Sequence, residues 1–389
     1  MKIINSIILF GILIILAACS TIKEYGSQIN QSRVSKPYSQ NSELGNPFWI
    51  LNNNETSVCS PVEDVAVIYL QSTQSIFAIN ALTGKIIWNN KAKSDIPYRR
   101  CLPMKIYENY LIASGENGSV MALNKDTGVE MWHLSGTPSN APIEDLLVKD
   151  DTLFVAWYDS YLEAFDVFTG IPLWKQEVPK RTSLYLAYYN GIVVLEGNGH
   201  LQAYHSKTGL LAWDDSLDFS VASMLYNNSM LYIVATGYQT TGLVAMDISK
   251  PGRLFWEVST KDLRLANIQC ASMDQDALYI SGNRLVKIST INGDLLWQTN
   301  ELNFLGCPKQ LGNLVIAQRG INNYQVFDSE SGKTLDIIVS KASIKTSMRF
   351  DRNPIVANGV FIISFGEGQL FGYRVGQLGE ELRSILSVE

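Results

Sequence analysis

Apolar and polar positions alternate along this chain over short stretches, and the stretches come in pairs. Residues 67–70 and 75–79 each alternate as a half-buried strand does, and so do 110–114 with 119–123, 153–157 with 161–165, and 192–195 with 201–204. The pairing continues at 231–235 with 243–246, 278–281 with 285–288, 314–318 with 324–327 and 360–365 with 369–373. Turn-forming residues separate the members of each pair, which predicts eight antiparallel hairpins. The tail, residues 377–389, is the exception. Leu378, Leu382, Ile385 and Leu386 stand at helical spacing there and predict a short surface helix.

Seven of the pairs run into the same short motif. It is clearest as Ala78-Ile79-Asn80-Ala81-Leu82-Thr83-Gly84-Lys85-Ile86-Ile87-Trp88. The glycines of successive copies, at 84, 128, 170, 209, 252, 293 and 332, lie 44, 42, 39, 43, 41 and 39 residues apart. Trp follows Gly by four residues in six copies, and in the seventh Asp336 takes its place. A period near forty residues predicts a β-propeller with one blade per repeat. Within the motif, Asn or Asp can accept backbone amides in an Asx turn, and Gly supplies a left-handed turn conformation. The Ala falls where a neighbouring sheet would press closely, and the Trp is an anchor suited to the seam between blades.

The eighth pair has no such motif after it, whereas residues 47–51 form an orphan Trp strand 39 residues before Trp88. If Trp49 supplies the outer strand of the eighth blade, both chain ends close the ring and no sheet edge is left open at the join. The fold expected is therefore all-β, an eight-bladed propeller of four-stranded antiparallel blades over residues 47–376, with seven blades as the alternative count. A length of 389 residues alone would suggest two or three domains, and the repeat overrides that prior.

The start of the chain is different in kind. Lys2 and an apolar run over residues 7–16 lead into Leu16-Ala17-Ala18-Cys19-Ser20. This is a signal-peptide pattern, too short for a spanning helix, that ends in a bacterial lipobox. Residues 1–18 are expected to be removed and Cys19 to be lipidated, which would hold the protein on a membrane. Ser20 after the cysteine fits sorting to the outer membrane, lipid-anchored and facing the periplasm. Residues 19–46 are polar and aperiodic, a flexible tether spanning roughly 30 Å as a coil.

Charge and chemistry narrow the function. A net charge of −6 gives no basic footprint, which speaks against nucleic-acid partners. His133, His200 and His205 occupy turn and strand positions, and no metal-binding, nucleophile-elbow or phosphate-loop motif occurs. Residues 115–118 and 197–199 are Gly-rich hairpin turns. Beyond Cys19 there are four cysteines, Cys59, Cys101, Cys270 and Cys307, at matching places in neighbouring blades. Two readings stand: disulfides Cys59–Cys101 and Cys270–Cys307 in an oxidising compartment, or four buried thiols. The second is favoured, because spacing alone does not bring Cα atoms within bonding reach.

The repeat Ala-x-(Asp/Asn)-x-x-Thr-Gly-x-x-x-Trp resembles that of pyrroloquinoline-quinone-type propellers. With the lipobox, tether and closing strand, the chain resembles the BamB family of outer-membrane lipoproteins of the β-barrel assembly machinery. That resemblance implies a non-catalytic scaffold without cofactor or metal. Its partners would be the periplasmic domains of a BamA-like outer-membrane barrel-inserting subunit and unfolded outer-membrane proteins. In the family, binding uses loops around the third and fourth blades, here residues 176–186 and 214–222. Arg181, Leu184, Leu186, Asp215 and Asp218 lie there and mix apolar groups with charges of both signs, as an interface does. The alternatives are a quinone-dependent dehydrogenase, against which the absence of adjacent cysteines counts, and a scaffold of another envelope complex.

Overall fold

The computed structural model describes residues 48–374 apart from 53–60, 73, 92–103, 116–117, 137–140, 159–160, 179–183, 198, 218, 237–241, 251–252, 275, 320–322, 340–354, 358–359 and 366–368. The signal segment 1–18, the tether 19–46 and the tail 377–389 lie outside the described residues.

Among the described residues, thirty-two strands form eight four-stranded antiparallel sheets, the blades of a propeller. Blades 1 to 7 span residues 62–91, 105–134, 143–177, 184–216, 220–259, 270–298 and 304–339, and each adds its strands in chain order from the innermost outward. Blade 8 takes three strands from residues 355–374, and its outer strand is Trp49–Asn52. Trp49 pairs with Gly372 and Asn52 with Gln369, so strands from opposite ends of the chain close the ring, as expected from the sequence.

The core lies between the blades, and strand alternation explains how. In Val67–Gln71, Ile68 and Leu70 turn toward blade 8 while Tyr69 turns toward blade 2. The next strand does the same, with Phe77 and Ile79 on one side and Ile76 and Ala78 on the other. Both faces of these middle strands are buried, and each large apolar side chain contributes roughly 1.5–3 kcal/mol of transfer free energy. Outer strands alternate instead between half-covered and exposed positions.

The repeat motif locks one blade to the next at most of the seams. Asn80 Oδ1 accepts the Thr83 amide at 2.9 Å, and Asn124, Asp166 and Asp328 accept in the same way from Thr127, Thr169 and Ser331. The turn glycine then presents a bare Cα to the indole of the preceding blade. A Cβ on Gly128 would stand 2.5 Å from Trp88 Cδ2. The indole N–H donates to a carbonyl of that same turn: Trp88 to Lys125 at 2.9 Å, Trp132 to Val167 at 3.0 Å, Trp174 to Ser206 at 2.7 Å. Trp49 does this across the closure, donating to Ala81 O at 2.9 Å. A small residue sits opposite the Trp of the same blade in Ala78↔Trp88, Ala122↔Trp132 and Gly372↔Trp49, whereas in blade 6 Lys287 takes that place. The small residue leaves room for the indole, a more specific role than general closeness of sheets.

Candidate functional site

Beside the stretches singled out around blades 3 and 4, the inner strands of neighbouring blades form a seam. Ile143–Lys149 of blade 3 lies beside Leu184–Tyr189 of blade 4, which lies beside Ser220–Asn227 of blade 5. The first of these strands slips register between Ile143 and Asp145, which sets Glu144 out of the ladder. Asp145 then reaches across the seam. Its carboxylate accepts the Leu186 amide at 2.9 Å and the Leu146 amide at 2.8 Å. Burial raises the Asp145 carboxyl above the usual carboxylate range, and it outweighs the opposing pull of the Lys105 charge and the two amides.

Tyr185 continues the connection. Its hydroxyl donates to Ala222 O in blade 5 at 2.7 Å, and it stands opposite Glu196, a buried carboxylate that accepts the Gly199 amide at 2.9 Å. Burial, and then the charges of Glu196, Asp145 and Glu144, push the Tyr185 phenol up, so it stays a neutral donor at physiological pH. Tyr188 donates to Asp150 at 2.5 Å. In this arrangement carboxylates, phenols and amides tie the inner strands of blades 3, 4 and 5 together. Among the described residues, no nucleophile–base pair is among the contacts of the seam. Among the described residues no group of three or more His, Cys, Asp or Glu could hold a metal ion.

The expected contact residues separate in the structure. Leu184 and Leu186 are corrected: they are 3% and 6% exposed and pack with Phe154, Tyr188 and Leu195 in the core between blades 3 and 4. They sit on an inner strand, not on a loop, and the alternation that turns them inward turns Tyr185 to the other side. Asp215 lies half-covered on the outer strand of blade 4, opposite Leu201, far along the sheet from the inner strand. Cys19, Arg181 and Asp218 lie outside the described residues, as do Cys59 and Cys101. Cys270 and Cys307 are joined in a disulfide between the inner strands of blades 6 and 7, with Cα atoms 4.8 Å apart. Sequence reasoning missed Asp145 and Tyr185. The signal for Tyr185 was present, since it is the odd member of the alternating Leu184-Tyr185-Leu186, but Asp145 is placed by a bulge that no pattern announces.

Comparisons with known proteins bear on this geometry. The family model of outer membrane protein assembly factor BamB matches three overlapping stretches, residues 38–149, 116–257 and 241–382. A BamB of Francisella tularensis is 25% identical over 219 residues, which cover 50% of this chain and 47% of that protein. The chain thus spans about half the length of that curated relative. The crystal structure of BamB from Moraxella catarrhalis superimposes with a TM-score of 0.62 at 14% identity, covering 85% of this chain and 99% of that one. A quinohemoprotein alcohol dehydrogenase of Comamonas testosteroni also superimposes, with a TM-score of 0.59 at 12% identity over 87% of this chain and 78% of that one. Likeness of shape at such identities shows the fold and no more.

Proposed function

This chain belongs to the family of outer membrane protein assembly factor BamB, and on that footing we propose that it is a non-catalytic scaffold in outer-membrane protein assembly. The family match, continuous from residue 38 to 382, carries the reading. In this reading Cys19 carries the lipid anchor, residues 19–46 tether the propeller to the outer membrane from the periplasmic side, and the ring presents the connections around blades 3 and 4 to the periplasmic domains of the barrel-inserting subunit. Tyr185 and Asp145 tie the inner strands of blades 3, 4 and 5 together and so hold those connections in place. Arg181, Asp215 and Asp218 provide the charged rim, which sets encounter rate and register more than affinity.

The experiment is capture of the barrel-inserting subunit's periplasmic domains by the purified propeller. Arg181→Glu should weaken capture by about tenfold, equivalent to about 1.4 kcal/mol. Undiminished capture by a folded variant would count against the rim. Replacing Cys19 by Ala should move the protein from the membrane fraction to the soluble periplasmic fraction. Dye-linked alcohol oxidation after incubation with pyrroloquinoline quinone and Ca²⁺ would overturn the scaffold reading altogether.

A further inference from the structure

Ring closure in this propeller is visible on the outside, where Trp49–Asn52 completes blade 8. The inner strands carry a second connection. Phe304–Leu311 of blade 7 is broken by a bulge: Leu305 pairs with Gln318 and Lys309 with Ile316, so three residues on one strand face one on the other. The bulge contains Gly306, at φ +66°, and Cys307. Both are held to blade 6, Cys307 by the disulfide to Cys270 and Gly306 O by the Ser281 hydroxyl at 2.5 Å. Immediately after the bulge, Lys309 Nζ meets Glu63 Oε1 at 2.9 Å. Glu63 lies on the innermost strand of blade 1, 246 residues away in sequence. The ion pair therefore passes blade 8, the one blade assembled from both ends of the chain.

We propose that the Cys270–Cys307 disulfide and the Lys309–Glu63 pair act as one thiol-sensitive clasp that holds blades 6, 7 and 1 together behind the closing blade. The disulfide fixes the bulge, and the bulge aims Lys309. A lysine at the end of a two-residue excursion has many conformers to lose, and the covalent tie to blade 6 removes that freedom before the ion pair forms. When a dithiol reductant breaks the sulfur–sulfur bond, it passes two electrons and two protons to give two cysteine thiols and becomes a disulfide itself. The bulge is then free to relax, and Lys309 is no longer held at Glu63. The inference concerns closure of the ring and stands whether or not the scaffold reading does.

The test is hydrogen exchange on the folded protein in a Cys59→Ser, Cys101→Ser background, so that Cys270–Cys307 is the disulfide that is read. A dithiol reductant under native conditions should speed amide exchange in Val360–Phe365 and Trp49–Asn52 by about tenfold, with Thr152–Trp157 of blade 3 unchanged. Lys309→Met should speed the same blade 8 amides in the oxidised protein and leave little further response to reductant. Acceleration confined to blades 6 and 7, or effects of reductant and Lys309→Met that simply add, would overturn the clasp. Glu63→Gln, which alters no residue near the disulfide, should reproduce Lys309→Met. A Glu63→Gln protein that keeps the full response to reductant would also overturn it.

Discussion

The unit of this fold is a contact between one glycine and one tryptophan. The glycine does two things: it adopts positive φ, and it lets an indole lie flat against its backbone. The two can be separated by experiment. Gly128 has φ +71° and an indole 2.5 Å from where its Cβ would be, while Gly191 has φ +77° and nothing nearer than Ser206 Oγ at 3.9 Å. Gly191→Ala should cost about 1–2 kcal/mol, the left-handed penalty alone. Gly128→Ala should cost clearly more in urea unfolding, because the Trp88 indole must also move. Equal costs would mean that the seam yields freely. The asparagine or aspartate of the motif matters less, for blade 4 has His205 there and keeps its turn through the Gly209 amide donating to His205 O at 2.8 Å.

At the scale of strands, the seam between blades 3 and 4 depends on a carboxylate that burial disfavours. Asp145 has its pKa raised in the folded protein, so its protonated form binds the fold better than its charged form. Its contribution is complete below the ordinary carboxylate range and is lost as pH rises through the raised value. The expected outcome is that the wild-type chain loses stability relative to Asp145→Asn as pH rises from about 4 toward neutrality. Urea midpoints of both proteins across that range measure it, and a difference that grows in the other direction would show that the Lys105 charge and the two amides prevail. The same strands show why loops and strands are easily confused near a blade junction. Leu184 and Leu186 follow a connector directly in sequence, yet both pack inside.

On the scale of the whole ring, Asp336 has a topological explanation. It stands opposite Val326, at the place Trp88 occupies opposite Ala78. Trp49, Trp88, Trp132, Trp174, Trp256 and Trp297 each meet the turn between the third and fourth strands of the next blade. In blade 8 those strands are Gln369–Arg374 and Trp49–Asn52, from opposite ends of the chain, with no turn between them. An indole at 336 would have no such turn to meet. Asp336→Trp should therefore leave thermal stability unchanged or lower it, although it restores the repeat. A gain of several degrees would show that a receiving surface exists there after all.

Much of this was legible in the chain alone. Period-two alternation and the forty-residue repeat determined strand pairs, blade number and closure, because each is enforced locally: by pleat geometry, by the turn glycine, and by an indole that fits beside it in the same way each time. The family resemblance was likewise readable from contiguous residues. Tertiary structure alone decided which side chains meet across blades. The Asp145 carboxylate at the Leu186 amide, the Tyr185 hydroxyl at Ala222, and Lys309 at Glu63 join residues about 40 to 250 positions apart. Asp145 and Lys309 follow bulges that shift register by one or two residues. A register shift redirects every side chain after it, and no pattern of apolar and polar positions records where it occurs.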